Sequence, residues 1–203
     1  MNIAVFVSGR GSNLRAIINS SELKNLVDVK IVCSNKSNCG AFDIANQYKI
    51  PAYTISSEKK DGFLEYEGLL PILKNEQIEL IVLAGYLKLI PTFFVREFPY
   101  KIINIHPALL PAFGGHGMYG IRVHQAVYNS SVKVSGVTVH FVNEEYDRGL
   151  IIAQKCVDIL FLKSPEEIAA KVLEAEHELL PWVIGKIAMQ KVGIVNNRVE
   201  IKE

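Results

Sequence analysis

Two short segments carry side chains able to do chemistry together. Ile103-Asn104-Ile105-His106-Pro107 sets an amide and an imidazole two residues apart in an apolar run, and Asp147-Arg148-Gly149 offers a carboxylate in a later turn. On a strand, residues i and i+2 project from one face, so Asn104 and His106 would point the same way where Pro107 stops the strand. A carboxylate near an imidazole orients it and favours its charged form. Two aimed donors suit a reaction in which negative charge develops on an oxygen. Taken alone, His106 would read as a satisfied core histidine, Asn104 as a strand-end cap and Asp147 as a hairpin-turn aspartate; their joint presence makes the catalytic reading worth testing.

A third segment, Ser8-Gly9-Arg10-Gly11-Ser12-Asn13-Leu14, follows the apolar run Ile3 to Val7. Glycines there let backbone N–H groups approach an anion, and a helix N-terminus adds favourable partial positive charge. Phosphate is the natural guest, with Ser12 and Asn13 adding side-chain hydrogen bonds. The same glycines would also serve a plain strand-to-helix turn. A dinucleotide fingerprint is disfavoured because Leu14 stands where a third small residue belongs and Ser34-Asn35-Lys36 stands where a ribose-binding acid belongs. No nicotinamide cofactor is expected, and the missing G-K-[ST] ending excludes a Walker-type loop.

These residues need a scaffold. Buried-type runs at Ile3 to Val7, Val27 to Cys33, Leu80 to Ala84 and Ile102 to Ile105 alternate with helical patterns near Asn13 to Asn19, Asn38 to Tyr48, Phe63 to Asn75 and Tyr119 to Asn129. That rhythm predicts an α/β, Rossmann-like, mostly parallel sheet flanked by helices. Ligands bind beyond the carboxyl ends of such strands, where Asn104, His106 and the glycine loop all fall. Val134 to Val142 and Leu150 to Val157 predict a C-terminal antiparallel pair. Ser164-Pro165-Glu166-Glu167 opens a helix expected to run to about Leu180, before Pro181, with Trp182 as the point where it could resume. Pro71 falls inside the third helix, where a proline removes a hydrogen bond and kinks the chain. The irregular Pro107 to Gly117 has the length of a functional loop.

The chain has 203 residues, 49% of them hydrophobic, which fits a single domain over residues 1–203. Lys and Arg total 22 against 21 acidic residues, so no bulk field attracts nucleic acid or an anionic membrane, and neither is expected as a partner. Apolar runs are broken well short of a membrane span of about 20 residues. Cys33, Cys39 and Cys156 form no framework of pairs, and the opening MNIAVFV reads as a strand rather than a leader, so a reducing cytoplasm is expected. His124 on a helix and His140 on a strand read as packing or surface residues. His116, His124 and His140 lack the close ligand spacing of a metal site, and no metal is expected. Glu176 and His177 lie in an acidic amphipathic helix that would normally be a solvated face.

S-G-R-G-S-N-L, N-I-H-P-A-L-L-P and the late Asp-x-Gly turn together resemble the glycinamide ribonucleotide formyltransferase family. The resemblance extends through S-N-K near Asn35, V-L-A-G-Y-L near Gly85 and E-H-E-L-L-P near Glu176. It implies the formyltransferase fold, an N-terminal phosphate-binding part and a C-terminal folate-binding and catalytic part. It implies Asn104, His106 and Asp147 as the catalytic trio, a substrate phosphate on Gly11, Ser12 and Asn13, and Glu176 near the glycinamide amine. The folate pocket maps to Leu87, Lys88, Leu89, Ile90, Asn104, Asn143, Glu144, Glu145, Tyr146 and Asp147. The co-substrate is then 10-formyltetrahydrofolate, and the step belongs to purine biosynthesis. One departure stands near Phe63, where the family often has a basic residue for the folate tail; Lys59 or Lys60 are the candidates here. Phe113 to Gly120 is longer than in some members and receives no role.

Formyl transfer asks for stabilisation of a tetrahedral centre with oxyanion character, which Asn104 and a protonated His106 held by Asp147 would supply without a protein nucleophile. Related chemistries remain open: a 10-formyltetrahydrofolate hydrolase, another folate-dependent formyltransferase such as a transfer-RNA formyltransferase, and a non-catalytic phosphate-ligand-binding module. The N-I-H-P motif alone does not separate them. A monomer and a homodimer are equally compatible with the residues.

Overall fold

The computed structural model describes residues 1–202. They pack into two compact units that divide within one strand, between Asn104 and Ile105.

The first unit carries β1 (Asn2–Val7), α1 (Ser12–Asn19), β2 (Asp28–Ser34), α2 (Ala41–Gln47), β3 (Ala52–Ser56), β4 (Leu64–Glu65), α3 (Tyr66–Asn75), β5 (Leu80–Leu83), α4 (Thr92–Glu97) and the start of β6 (Ile102–His106). The strands run parallel in the order β4-β3-β2-β1-β5-β6. Ile3 to Val7 and Leu80 to Ala84 are buried along their length, as unbroken apolar runs should be in a sheet covered on both faces. The strand order reverses between β1 and β5, so the segments leaving those two strands flank the switch point at which such sheets bind ligands.

The second unit holds α5 (Ile121–Asn129), the antiparallel pair β7 (Val134–Phe141) and β8 (Ile151–Asp158), α6 (Pro165–Ala188) and a hairpin of β9 (Val192–Val195) and β10 (Arg198–Ile201). The expected late strand pair is therefore present. α6 opens as its residues require: Ser164 Oγ accepts from Glu167 N at 3.2 Å, and the Glu167 carboxylate accepts from Lys163 N at 2.8 Å.

Several expectations are corrected. α6 continues through Pro181 to Ala188 instead of stopping near Leu180. Only one backbone hydrogen bond is lost to the proline, while the continued turn buries Leu180, Val183 and Ile184 completely, at about 1.5–3 kcal/mol for each side chain. α3 starts at Tyr66, after the two-residue β4, and keeps Pro71 on its exposed face, where water reaches the freed carbonyl. α2 begins at Ala41 rather than near Asn38, because Cys39 and Gly40 are held in a turn by Phe42 N–H to Cys39 O and Ala41 N–H to Gly9 O. β3, α4 and the β9–β10 hairpin were not expected. The hairpin turns on Asn196 and Asn197, at φ 49° and 59°, which suit a tight two-residue turn.

Candidate active site

His106 ends β6 and is 3% exposed. Its Nε2 lies 2.9 Å from the carbonyl oxygen of Phe113, and because a carbonyl only accepts, Nε2 carries the proton. Its Nδ1 faces Asp147 Oδ2 at 3.5 Å. Asp147 stands in the turn between β7 and β8 with φ 54°, a left-handed conformation that Asp tolerates better than most residues. The turn closes tightly around it. Gly115 N–H donates to Asp147 Oδ2 at 2.9 Å, and a Cβ on Gly149 would sit 1.8 Å from Phe141 O, so that position admits only glycine.

His140 completes the cluster. It is 2% exposed, with Nε2 3.6 Å from Asp147 Oδ1 and Nδ1 2.8 Å from Phe141 O. The reading of His140 as an ordinary packing or surface residue missed this, because strand alternation does not register a break in the ladder: the β7–β8 register shifts between Val139 and His140. Such irregularities re-aim side chains beside functional sites. Phe113 and Gly115 were also missed, since they act through backbone groups that residue type does not reveal.

β7 also sets out the chain after His106. Thr138 Oγ1 donates to Ala108 O at 2.7 Å and accepts from Leu110 N at 3.0 Å and from Gln154 Nε2 at 3.0 Å. The Gln154 amide also donates to Leu110 O at 2.9 Å. Gly136 leaves room for Leu109, whose Cδ2 would lie 2.6 Å from an added Cβ. Gly136, Thr138 and His140 in turn receive Leu109, the Ala108–Leu110 backbone and Asp147.

Electrostatics add a second influence to the expected one. Burial lowers the pKa of His106 below its ordinary 6.5, outweighing the Asp147 charge and the Phe113 contact that raise it, while His140 lowers it further. Asp147 was expected to increase the imidazolium fraction of His106; it does pull in that direction, and desolvation wins. Burial would raise Asp147, but the His140 hydrogen bond, the His106 charge and the Gly115 N–H bring it below 3.8.

In the first unit, Gly11 caps α1 at φ 80°, and a Cβ there would meet Ala41 Cβ at 2.8 Å. That clash accounts for glycine by helix packing as well as by the turn. No side chain caps α1, whose first turn holds Ser12 and the buried Asn13. Ser8 Oγ donates to Asn35 Oδ1 at 2.5 Å and accepts from Leu87 N at 2.9 Å, joining the segments that leave β1, β2 and β5. Beyond β5, Leu87, Lys88 and Leu89 are exposed and Ile90 is buried. Lys60 Nζ rests 3.9 Å from the centre of the Phe63 ring, and Lys59 is exposed.

The other residues singled out in the sequence are placed as follows. Asn104 lies on β6 at intermediate exposure, two positions before His106. Asn143 Oδ1 accepts from Glu145 N at 3.1 Å, Glu144 and Glu145 are exposed, and the Tyr146 ring meets His116 edge-on at 5.7 Å. Glu176 is a buried carboxylate on α6, not part of a solvated face. Among the described residues no group of three or more His, Cys, Asp or Glu is placed to hold a metal ion, and no helix is long and apolar enough to cross a membrane.

Comparison with known proteins adds the context for this geometry. The sequence model of the formyl transferase family matches residues 1–184. The chain is 46% identical over 194 residues to a chloroplastic phosphoribosylglycinamide formyltransferase of Arabidopsis thaliana, covering 94% of this chain and 66% of that protein. The match thus spans slightly less than two thirds of that relative's length. Against the phosphoribosylglycinamide formyltransferase of Haemophilus influenzae it is 37% identical over 198 residues, covering 96% of this chain and 91% of that protein. The crystal structure of phosphoribosylglycinamide formyltransferase from Anaplasma phagocytophilum superposes with a TM-score of 0.88 at 32% identity, covering 100% of this chain and 93% of that one. With a buried imidazole facing a carboxylate at the end of a parallel strand, and similarity that runs almost end to end, the chain belongs to the formyl transferase family, among its phosphoribosylglycinamide formyltransferases.

Proposed function

We propose that this chain transfers the formyl group of 10-formyltetrahydrofolate to the amine of 5-phosphoribosylglycinamide, giving the formylated ribonucleotide and tetrahydrofolate in purine biosynthesis. The observation that carries the reading is the Asp147 carboxylate facing Nδ1 of His106, in a chain similar to enzymes that bear this name. The amine nitrogen bonds to the formyl carbon, forming a tetrahedral centre with a negatively charged oxygen. The Asn104 amide and the Nε2–H of His106 donate to that oxygen. Burial, which lowers the pKa of His106, favours the neutral ring, and the formyl oxygen competes with the Phe113 carbonyl for its Nε2 proton. The bond from the formyl carbon to the folate nitrogen then breaks, the amine losing a proton and the folate nitrogen gaining one. No acyl-enzyme intervenes, so holding both substrates together supplies much of the rate.

The roles of the remaining residues follow from chemistry and placement. Gly11, Ser12 and Asn13 receive the substrate phosphate at the uncapped start of α1. Glu176 binds the glycinamide end. Leu87, Lys88, Leu89, Asn143, Glu144, Glu145 and Tyr146 flank the folate, with Ile90 supporting them from the core. Lys59 is the candidate for the folate tail, because Lys60 already lies over Phe63. The two packing units act as one formyltransferase domain, in an aqueous reducing compartment that suits three free cysteines.

The test follows loss of the formyl group from a 10-formylfolate analogue with and without the ribonucleotide. Loss only in the ribonucleotide's presence is expected. Equal loss without it assigns a hydrolase, and no loss in either case removes both enzyme readings.

A further inference from the structure

Tyr66 and Tyr86 have no part in the site above, yet their hydroxyl oxygens meet at 2.8 Å inside the first unit, where the two residues are 1% and 8% exposed. Packing alone does not ask for hydroxyls there. The Tyr66 ring lies edge-on to Phe94 at 4.9 Å and the Tyr86 ring edge-on to Phe6 at 5.6 Å, contacts that phenylalanine makes equally well. A buried hydroxyl is costly unless it is hydrogen-bonded, and here each supplies the other's partner. Burial pushes the Tyr86 hydroxyl up to about 12 and raises Tyr66 as well, with the buried Cys33 on β2 adding to both. Both hydroxyls keep their protons through neutral pH, so the bond does not titrate away.

The bond joins two stretches of chain that lie far apart in sequence and are both assigned to folate. Tyr66 opens α3, three residues after Phe63, whose ring carries Lys60. Tyr86 directly precedes Leu87 to Ile90, where the chain leaves β5 through Gly85 at φ 76°. That second stretch is fastened to the chain beyond β1: Ser8 N–H donates to Gly85 O at 3.0 Å, and Ser8 Oγ accepts from Leu87 N–H at 2.9 Å. The first stretch has weaker anchorage. Residues 57–62 are exposed, and they rejoin the sheet through β4, a two-residue strand at its edge that pairs Leu64 with Ile55 and Glu65 with Ser56. We infer that the Tyr66–Tyr86 pair is a positioning device for the formyl donor: it sets the separation between the 57–63 stretch, which meets the folate tail, and the Leu87 to Ile90 stretch, which flanks the rest of the molecule. The inference rests on the folate reading of those two stretches and adds two residues to it.

Equilibrium dialysis and steady-state kinetics of Tyr66→Phe, Tyr86→Phe and the double variant test it, with a 10-formylfolate analogue and the same analogue lacking its glutamate. Each single change strands one buried hydroxyl and lowers the unfolding midpoint; the double change keeps both rings, leaves no hydroxyl unpaired and restores most of the loss. Stability and positioning therefore separate in the double variant. Its dissociation constant and KM for the complete analogue should rise about 3- to 10-fold, the worth of one ordinary hydrogen bond. Its kcat and its KM for the ribonucleotide should change by less than about twofold. The glutamate-free analogue engages only one stretch, so its affinity should stay within about twofold of that for the unaltered protein. Wild-type binding of the complete analogue by the double variant overturns the inference, and so does an equal loss for both analogues. Should a single variant fail to fold, the double variant decides. An unaltered protein that binds neither analogue removes the folate reading beneath the inference, a result distinct from wild-type binding in the variant.

Discussion

Replacing Thr138 by valine tests how β7 holds the segment that follows His106. The side chain is fully buried, and valine has nearly its shape, so the change removes hydrogen bonds and leaves packing almost untouched. Ala108 C=O and Leu110 N–H lose the partners they now have at 2.7 and 3.0 Å. Each stranded backbone group costs about 1–3 kcal/mol. Gln154 still has Leu110 O at 2.9 Å and adds little to the loss. The extra methyl returns about 1 kcal/mol of apolar burial, so a net destabilisation of about 1–5 kcal/mol is expected. Thr138→Ser keeps all three bonds and gives up one methyl, for about 1 kcal/mol. Denaturant unfolding followed by circular dichroism measures both, with an unchanged slope expected. Because Ala108 is two residues from the imidazole, kcat of the valine variant should also fall by about 10- to 100-fold, the scale of a small misplacement. A valine variant with the wild-type midpoint, or a serine variant as weak as the valine one, refutes the account.

His124 is buried on α5 and held at a pKa of about 4, chiefly by burial and also by His106. Between that value and the ordinary 6.5 the unfolded chain binds the proton and the folded one does not, so stability rises with pH across this window and is lost as pH falls through it; about 3 kcal/mol is at stake. His124→Asn should flatten the acid limb of a stability-versus-pH curve, and an unchanged limb would show that this ring does not drive it. Gly149→Ala places a methyl 1.8 Å from Phe141 O, which should cost at least about 2–3 kcal/mol and most of the activity; near-normal stability would mean the turn opens freely. Asp147→Asn removes the charge that pulls His106 upward, so the His106 midpoint should drop and turnover fall by about 100-fold or more, as steady-state kinetics and ring titration would report. A rise in that midpoint would reverse the assigned sign.

Strands whose apolar runs are continuous, such as Ile3 to Val7 and Leu80 to Ala84, were legible because parallel strands buried on both faces leave no other reading. The cap Ser164-Pro165-Glu166-Glu167 was legible because each residue there has a local task that needs no tertiary partner. What escaped depends on distant contacts. Ala52–Ser56 is a short strand of mixed polarity, and Leu64–Glu65, outside it at the sheet edge, is too short to show a period. The turn at Asn196-Asn197 carried a hairpin signal, but its flanks are only four residues each, Val-Gly-Ile-Val and Arg-Val-Glu-Ile, and mostly exposed. Asp147 and His106 were legible as chemistry by residue type. The lowered pKa of His106 and the involvement of His140 were not, since they follow from desolvation and from a register shift that only the folded chain possesses.

Ser8 has one hydroxyl proton and gives it to Asn35, while its lone pair takes the Leu87 N–H. A hydroxyl occupied in both senses has no donor to offer an incoming anion. Any charge-bearing oxygen arriving at this edge must therefore be met from Gly9 onward, and Ser8 acts instead as a rivet. Since one atom clips together the exits of three strands, the opening loop and the Leu87 segment cannot drift independently, and guests on either are held against a common frame.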